Sequence, residues 1–270
     1  MYNPTSFLRV ALPAALEAGK AILEIYAQPT EGWEIEEKAD HTPLTLADRC
    51  ANDIIMRHLR ATGHPILSEE GPLPDYEERK NWPGLWVVDP LDGTSEFLKR
   101  NDEFTVNIAW VQDGSPVAGV IYLPVTHTLY FGVKGMGAFK VGDVTVAKSE
   151  EELIRAAQRL PIEKQREGFV VVASRSHLSG ETEAYIDQLR KDHPDLSLIS
   201  AGSSMKLCRV AEGSADVYPR FAPTMEWDTA AGDAIVRAAG GEGVDTERHQ
   251  PLVYNKEDLH NPNFISTCKN

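Results

Sequence analysis

Between Ser6 and Tyr26 the apolar positions Phe7, Val10, Ala11, Ala14, Ala15, Ala18, Ile22 and Ile25 fall mostly three and four apart. That spacing predicts an amphipathic helix with one face on a core. Pro13 lies inside the run, so an interruption or kink is expected there. Pro29 and Gly32 close it, and Trp33-Glu34-Ile35-Glu36 alternates like a short strand before the polar loop 38–43. Thr45-Leu46-Ala47-Asp48 has the form of a capping box with Asp in place of Glu or Gln, and periodic Ala51, Ile54, Ile55 and Leu59 carry the helix to about Ala61.

Strands follow. Ile66-Leu67-Ser68 and Leu85-Trp86-Val87-Val88 are short apolar runs, and segments 105–111, 117–123 and 127–133 succeed one another with Asp113-Gly114 and Pro124 between them. Their close succession predicts an antiparallel meander. The glycine-rich stretch Gly132 to Ala138 lies between β-like segments and reads as a hairpin turn. Beyond residues 144–158 the pattern alternates strand and helix: 169–173, 180–191, 198–200, 203–212, 215–218 and 228–239, with 252–254 and 263–266 as closing strands. Such alternation implies an α/β subdomain. The expected division is an N-terminal α+β subdomain, 1–147, and a C-terminal α/β subdomain, 148–270.

The 270-residue chain has a formal net charge of −14, which argues against a nucleic-acid polymer as partner. No apolar run approaches the roughly 20 residues of a membrane span. The first residues, 1–6, have neither a basic segment nor a small-residue cleavage site, so no secretory signal is expected. Cys50, Cys208 and Cys268 are odd in number and widely spaced, which disfavours a disulfide framework and a structural zinc site. A reducing cytoplasm is the expected setting, with a peripheral contact at the cytoplasmic face of the inner membrane left open. A monomer or homodimer is expected.

The chemistry concentrates at Asp89-Pro90-Leu91-Asp92-Gly93-Thr94, directly after an apolar run. Two carboxylates, a carbonyl, a glycine and a hydroxyl within six residues suit a hard divalent cation with phosphate oxygens nearby. Pro90 cannot donate a ladder hydrogen bond, so the strand is expected to end there. Glu69, twenty residues earlier and also past a strand end, reads as a further ligand or as half of a solvated Glu69-Glu70 pair. Asp228 reads as a ligand or as the N-cap of its helix, and Asp48 as a capping acid or a catalytic one. Gly202-Ser203-Ser204 offers either a cap or amides for an anion. No Walker-type loop, nucleophile elbow or HExxH motif is present, and the Ser–His pair in Ser174 to His177 has no elbow around it.

Glu69-Glu70, Asp89 to Thr94 and Trp227 to Gly232 together resemble the paired signatures of the inositol monophosphatase superfamily, whose members are Mg²⁺-dependent, Li⁺-sensitive phosphatases. Segments 89–97, 172–177, 202–206, 210–213, 217–221 and 223–228 are similar to the bacterial 3′(2′),5′-bisphosphate nucleotidase group. The resemblance implies a layered αβαβα sandwich of the inositol monophosphatase/fructose-1,6-bisphosphatase type, in α+β/α/β terms. It implies two or three Mg²⁺: one on Glu69, Asp89 and the Leu91 carbonyl, a second on Asp89, Asp92 and Asp228, and a weaker third on Glu69. Thr94, paired with Asp48, would activate water, and Gly93 and Thr94 would meet the phosphate. Gly202, Ser203, Lys206 and Arg220 are the expected further substrate contacts, either cation holding a 5′-phosphate. The implied reaction is hydrolysis of the 3′-phosphate of adenosine 3′,5′-bisphosphate, with 3′-phosphoadenosine 5′-phosphosulfate as a further substrate, in sulfur assimilation. Inositol or sugar phosphate hydrolysis and a non-catalytic metal- and nucleotide-binding regulator are the alternatives.

Overall fold

A computed structural model describes residues 4–38, 43–144, 149–162, 167–174 and 179–268. Its first half runs α1 (Pro4–Tyr26), β1 (Glu36–Glu37), β2 (Pro43–Leu44), α2 (Leu46–Arg60), β3 (Ile66–Ser68), α3 (Tyr76–Arg79), β4 (Gly84–Asp92), α4 (Thr94–Leu98), β5 (Thr105–Gln112), β6 (Ser115–Leu123), β7 (Thr128–Val133) and β8 (Gly137–Val141). It continues with α5 (Glu150–Ala156), β9 (Gln158–Leu160), β10 (Val170–Ser174), α6 (Gly180–Asp192), β11 (Ser197–Ala201), α7 (Met205–Glu212), β12 (Val217–Arg220), α8 (Glu226–Ala238), β13 (Glu242–Asp245) and β14 (Phe264–Thr267).

Strands β3 to β9 form a seven-stranded sheet in sequence order, antiparallel except for the parallel β3–β4 pair. The second sheet has the order β11-β10-β12-β14-β13, parallel among the first three and antiparallel at β14. Helices α1 and α2 cover one face of the large sheet, where Phe7, Trp86, Phe97 and Phe131 belong to one core. Helix α8 lies on its other face, with α7 beside it and the second sheet beyond. Helix α6 packs outside that sheet, where Ile186 joins Val171 and Val217. The layers are therefore αβαβα, as the family resemblance implied.

Small residues set how closely α8 approaches the large sheet. A Cβ on Gly119 of β6 would lie 2.3 Å from the Ala231 carbonyl oxygen, and one on Gly232 would lie 2.4 Å from Leu207 in α7. The Ala230-Ala231-Gly232 run thus seats the helix between a strand and a neighbouring helix.

Several local expectations are corrected. Helix α1 runs unbroken through Pro13. Pro13 lies on the exposed side of the helix, while the flanking Ala11, Ala14 and Ala15 are buried and anchor it. Trp33 ends a 3₁₀ turn rather than opening a strand: it is fully buried, its Nε1 donates to Ile25 O at 2.9 Å, and Glu34 turns left-handed at φ 48°. Strand β4 does not stop at Pro90. Pairing resumes at Asp92–Thr105 after Asp89–Asn107, so Pro90 occupies a bulge that needs no ladder donor. Residues 252–254 form no strand; β13 pairs with β14 instead, and Leu252 N donates to Gly243 O at 3.0 Å.

Candidate active site

The end of β3, the β4 bulge, the start of α4, the turn before α7, β12 and the start of α8 converge on one cavity of about 240 Å³. Glu69, Asp89, Leu91, Asp92, Gly93, Thr94, Gly202, Ser203, Lys206, Arg220 and Asp228 all line it. Every residue expected there from sequence is present except Asp48, which lies buried behind Thr94 and accepts its Oγ1 hydrogen bond at 3.0 Å.

Asp48 is held from two directions. One carboxylate oxygen, Oδ2, takes the Thr45 N–H at 2.7 Å and the Thr45 hydroxyl at 2.5 Å, which completes the capping box of α2. The other faces Thr94, so one side chain both caps α2 and braces a residue of the cavity wall. Burial pushes the Asp48 carboxyl up, opposed by the hydrogen bonds from Thr45 and Thr94. Gly93, at φ 95°, turns β4 into α4. A Cβ there would meet the Glu103 carbonyl at 3.0 Å, so both the turn and the close approach require glycine.

Asp89 Oδ1 accepts from Leu91 N at 3.1 Å, which folds the bulge over its own carboxylate. Burial drives its pKa well upward, and the charges of Glu69, Asp92 and Asp228 add to the rise. Asp228 is not the N-cap of α8. It is the third helical residue, and its Oδ2 accepts from Met225 N at 2.9 Å. Burial and then the Asp92 charge push its carboxyl up to about 8. Asp92 is raised by burial against the opposing charge of Lys206.

Sequence reasoning missed the polar frame behind these acids. Ser204 Oγ lies 2.7 Å from Asp92 Oδ2 and 2.7 Å from Asp228 O, and accepts from Asn107 Nδ2 at 2.9 Å. Asn107 also reaches Asp92 Oδ2 at 3.2 Å, and Thr105 Oγ1 holds Asn107 Oδ1 at 2.9 Å. The Ser204 hydroxyl therefore ties two acidic segments together and does not cap α7, which has no side-chain cap. The alternation of β5 points Thr105 and Asn107 the same way, which was the available signal. Glu96 also lines the cavity.

Glu69 is not a solvated loop acid. Lys38 Nζ donates to Glu69 Oε1 at 2.7 Å and to Glu70 Oε1, and burial pushes Glu70 up to about 7. The counter-cations Lys206 and Arg220 are held by main-chain carbonyls: Lys206 by Ala201 and Ser203, Arg220 by Ala222 at 3.1 Å and Pro223 at 2.8 Å. Burial lowers the Lys206 ammonium to about 8, with Asp92 opposing. Arg175 to His177 lie outside the described residues, while Ser174 lines the cavity.

The donor set fits a hard cation. Five carboxylates, counting Glu96, and the Leu91 carbonyl are oxygen donors, and among the described lining residues there is no imidazole or thiol. Burial and then the charges of neighbouring acids raise Asp89 and Asp228, and a divalent cation would relieve the repulsion. As they stand, no three His, Cys, Asp or Glu side chains among the described residues are disposed to hold one ion. The Lys38 ion pair occupies Glu69.

Fold and cavity together define a class: a two-sheet αβαβα protein whose acidic pocket lies where strand ends meet helix starts. The inositol monophosphatase family model matches residues 3–268, and the chain belongs to that family. Within it, the chain is 43% identical over 253 residues to the 3′(2′),5′-bisphosphate nucleotidase CysQ of Shigella flexneri, covering 93% of this chain and 95% of the relative. It is 42% identical over 253 residues to CysQ of Escherichia coli, with the same coverages. The crystal structure of CysQ from Bacteroides thetaiotaomicron, described as a bacterial member of the inositol monophosphatase family, matches with a TM-score of 0.91 and 54% identity over 98% of each chain.

Proposed function

We propose that this chain is a Mg²⁺-dependent phosphatase that removes the 3′-phosphate of adenosine 3′,5′-bisphosphate, leaving AMP and orthophosphate. Its further substrate on this reading is 3′-phosphoadenosine 5′-phosphosulfate, and its setting sulfur assimilation. The observation that carries the reading is the cavity's polarity: a carboxylate wall of Glu69, Asp89, Asp92 and Asp228 shares one pocket with the buried cations Lys206 and Arg220. A substrate with two separated anionic groups suits such a pocket, and similarity to relatives named bisphosphate nucleotidase supports the choice.

Glu69, Asp89 and the Leu91 carbonyl would hold one Mg²⁺, Asp89, Asp92 and Asp228 a second, and Glu69 a weaker third; bound there, the ions supply a water of lowered pKa and neutralise phosphoryl charge. Thr94 Oγ1 orients the attacking water and relays its proton toward Asp48, 3.0 Å behind it. The Gly93 and Thr94 amides face the charge that builds on the phosphoryl oxygens. Lys206 has three N–H bonds and spends two on carbonyls, which leaves one for a second phosphate. Arg220 likewise keeps N–H donors beyond the two bound to Ala222 and Pro223. On this reading residues 1–147 supply the metal wall, and residues 148–270 supply Asp228 and the substrate cations.

The test is a substrate panel. Adenosine 3′,5′-bisphosphate should exceed inositol 1-phosphate and fructose 1,6-bisphosphate in kcat/KM. Lys206→Ala or Arg220→Ala should raise KM for the bisphosphate far more than for 3′-AMP. Equal effects on both nucleotides reject the assignment of these cations, and a preference for inositol or sugar phosphate rejects the substrate.

A further inference from the structure

A second cavity, of about 400 Å³, opens where the β7–β8 hairpin, β9 and the last turns of α8 meet. Lys134, Arg159 and Arg237 line it, and no carboxylate does. That is notable in a chain with 41 acidic and 27 basic residues. Its volume falls in the range of small-molecule sites. We propose that this cavity binds a small phosphate-bearing anion at a site separate from the acidic pocket.

The three cations contribute differently. Arg237 is fixed: it pairs with Asp233 at 2.8 Å, donates to Leu252 O at 2.7 Å and reaches Ser115 Oγ at 3.3 Å. Its buried Nε has no hydrogen-bond partner among the described residues. That N–H is closed to solvent, so Arg237 serves as a fixed wall of the cavity and its Nε is no donor to a ligand. Asp233 balances the charge of Arg237, so Lys134 and Arg159 supply the excess. Arg159 is exposed and stacks 5.8 Å from the Phe139 ring. Its hydrogen bond to Met136 O, at 3.4 Å, is long. Among the described residues no other acceptor is seen on its fork, which leaves it able to meet a planar pair of phosphate oxygens. Lys134 is exposed and has no ion pair among them. The carbonyl end of α8 opposes an anion with about half a charge, less than these two cations provide.

The position ties the site to the catalytic one through a single element. Arg237 follows Asp228 by nine residues on α8, roughly 14 Å along the axis. The helix between them is wedged against Gly119 and Gly132 of the sheet, where a Cβ would lie 2.3 Å from Ala231 O and 2.8 Å from Ile235 Cα. An anion that tightens the Arg237 end therefore acts on the same rigid body that carries Asp228.

The chemistry admits free orthophosphate or the phosphate of a small ester, and the experiment separates them. Calorimetric titration of the full chain in EDTA, at fixed ionic strength, uses orthophosphate in one arm and AMP in the other. Any binding at the acidic pocket is common to the wild type and to variants of this second cavity, so the binding lost in those variants reports this site. Saturable binding should appear in at least one arm, and which arm identifies the source. Lys134→Glu/Arg159→Glu should weaken it at least about tenfold, while phosphatase activity with Mg²⁺ stays at the wild-type level and certifies the fold. Lys134→Gln/Arg159→Gln serves as the milder variant and should lose affinity in the same direction. Binding that both variants retain, or wild-type protein that binds neither probe, overturns the site.

Discussion

Replacing Ser204 by Ala removes one oxygen from the frame behind the acids and leaves volume and backbone nearly unchanged. The hydroxyl has one proton and two acceptors at 2.7 Å, Asp92 Oδ2 and Asp228 O. Asp92 then keeps only Asn107 of its two donors, at 3.2 Å. A hydrogen bond to a charged group contributes about 1.5–3 kcal/mol, which corresponds to roughly a 10- to 100-fold change in ion affinity. The Mg²⁺ concentration for half-maximal orthophosphate release should therefore rise by about 10- to 100-fold, with activity largely recovered at saturating Mg²⁺. Release from adenosine 3′,5′-bisphosphate across a Mg²⁺ series, beside a calorimetric Mg²⁺ titration, measures this. An unchanged midpoint refutes the placement of Asp92 by Ser204, and so does an equal loss of activity at every Mg²⁺ concentration.

Asp48→Asn keeps the shape of the capping box but removes the acceptor charge behind Thr94; kcat should fall by about 10²- to 10⁴-fold with the Mg²⁺ midpoint within about threefold. Steady-state kinetics at several Mg²⁺ concentrations checks this, and unaltered kcat contradicts the role. In metal-free protein, the Asp228 pKa of about 8 lies above its unfolded value near 3.9, so its contribution is intact below about pH 4 and is lost as pH rises through about 8. The Tm in EDTA should therefore drop between about pH 4 and 8, less steeply in Asp228→Asn, and excess Mg²⁺ should flatten the profile. A Tm that rises over that range, or an identical slope in the variant, contradicts the raised pKa. Gly119→Ala would place a Cβ 2.3 Å from Ala231 O, so urea unfolding should show a loss of about 1–3 kcal/mol; an unchanged midpoint means that α8 can retreat from the sheet.

Much of this was legible in the chain because local chemistry and tertiary role coincide. Thr45 to Asp48 reads as a capping box and is one. The acids around Asp89 to Thr94 read as a metal–phosphate turn, and they line a cavity with Glu69 and Asp228. The meander followed from short apolar runs with turn residues between them. Other features depend on contacts that no local pattern records. Whether a helix continues through Pro13 depends on which side of α1 the proline faces, which spacing alone does not record. Residues 242–245 lack apolar alternation, yet pair because β14 offers an edge. Ser204 and Asn107 lie 97 residues apart and become one hydrogen-bonded frame only when the two sheets close. Buried Arg79 clamps the 255–257 loop through Lys256 O and Glu257 O, a contact as invisible in sequence as it is distant.

The most direct test of the central claim, that the acidic pocket uses divalent cations to cleave a 3′-phosphate, is orthophosphate release from adenosine 3′,5′-bisphosphate by chelator-stripped protein as Mg²⁺ is added back. The expected result is no release in EDTA, saturable recovery with Mg²⁺, AMP as the organic product, and no recovery in Asp89→Asn. Undiminished release in EDTA, or full Mg²⁺-restored activity in Asp89→Asn, would contradict it.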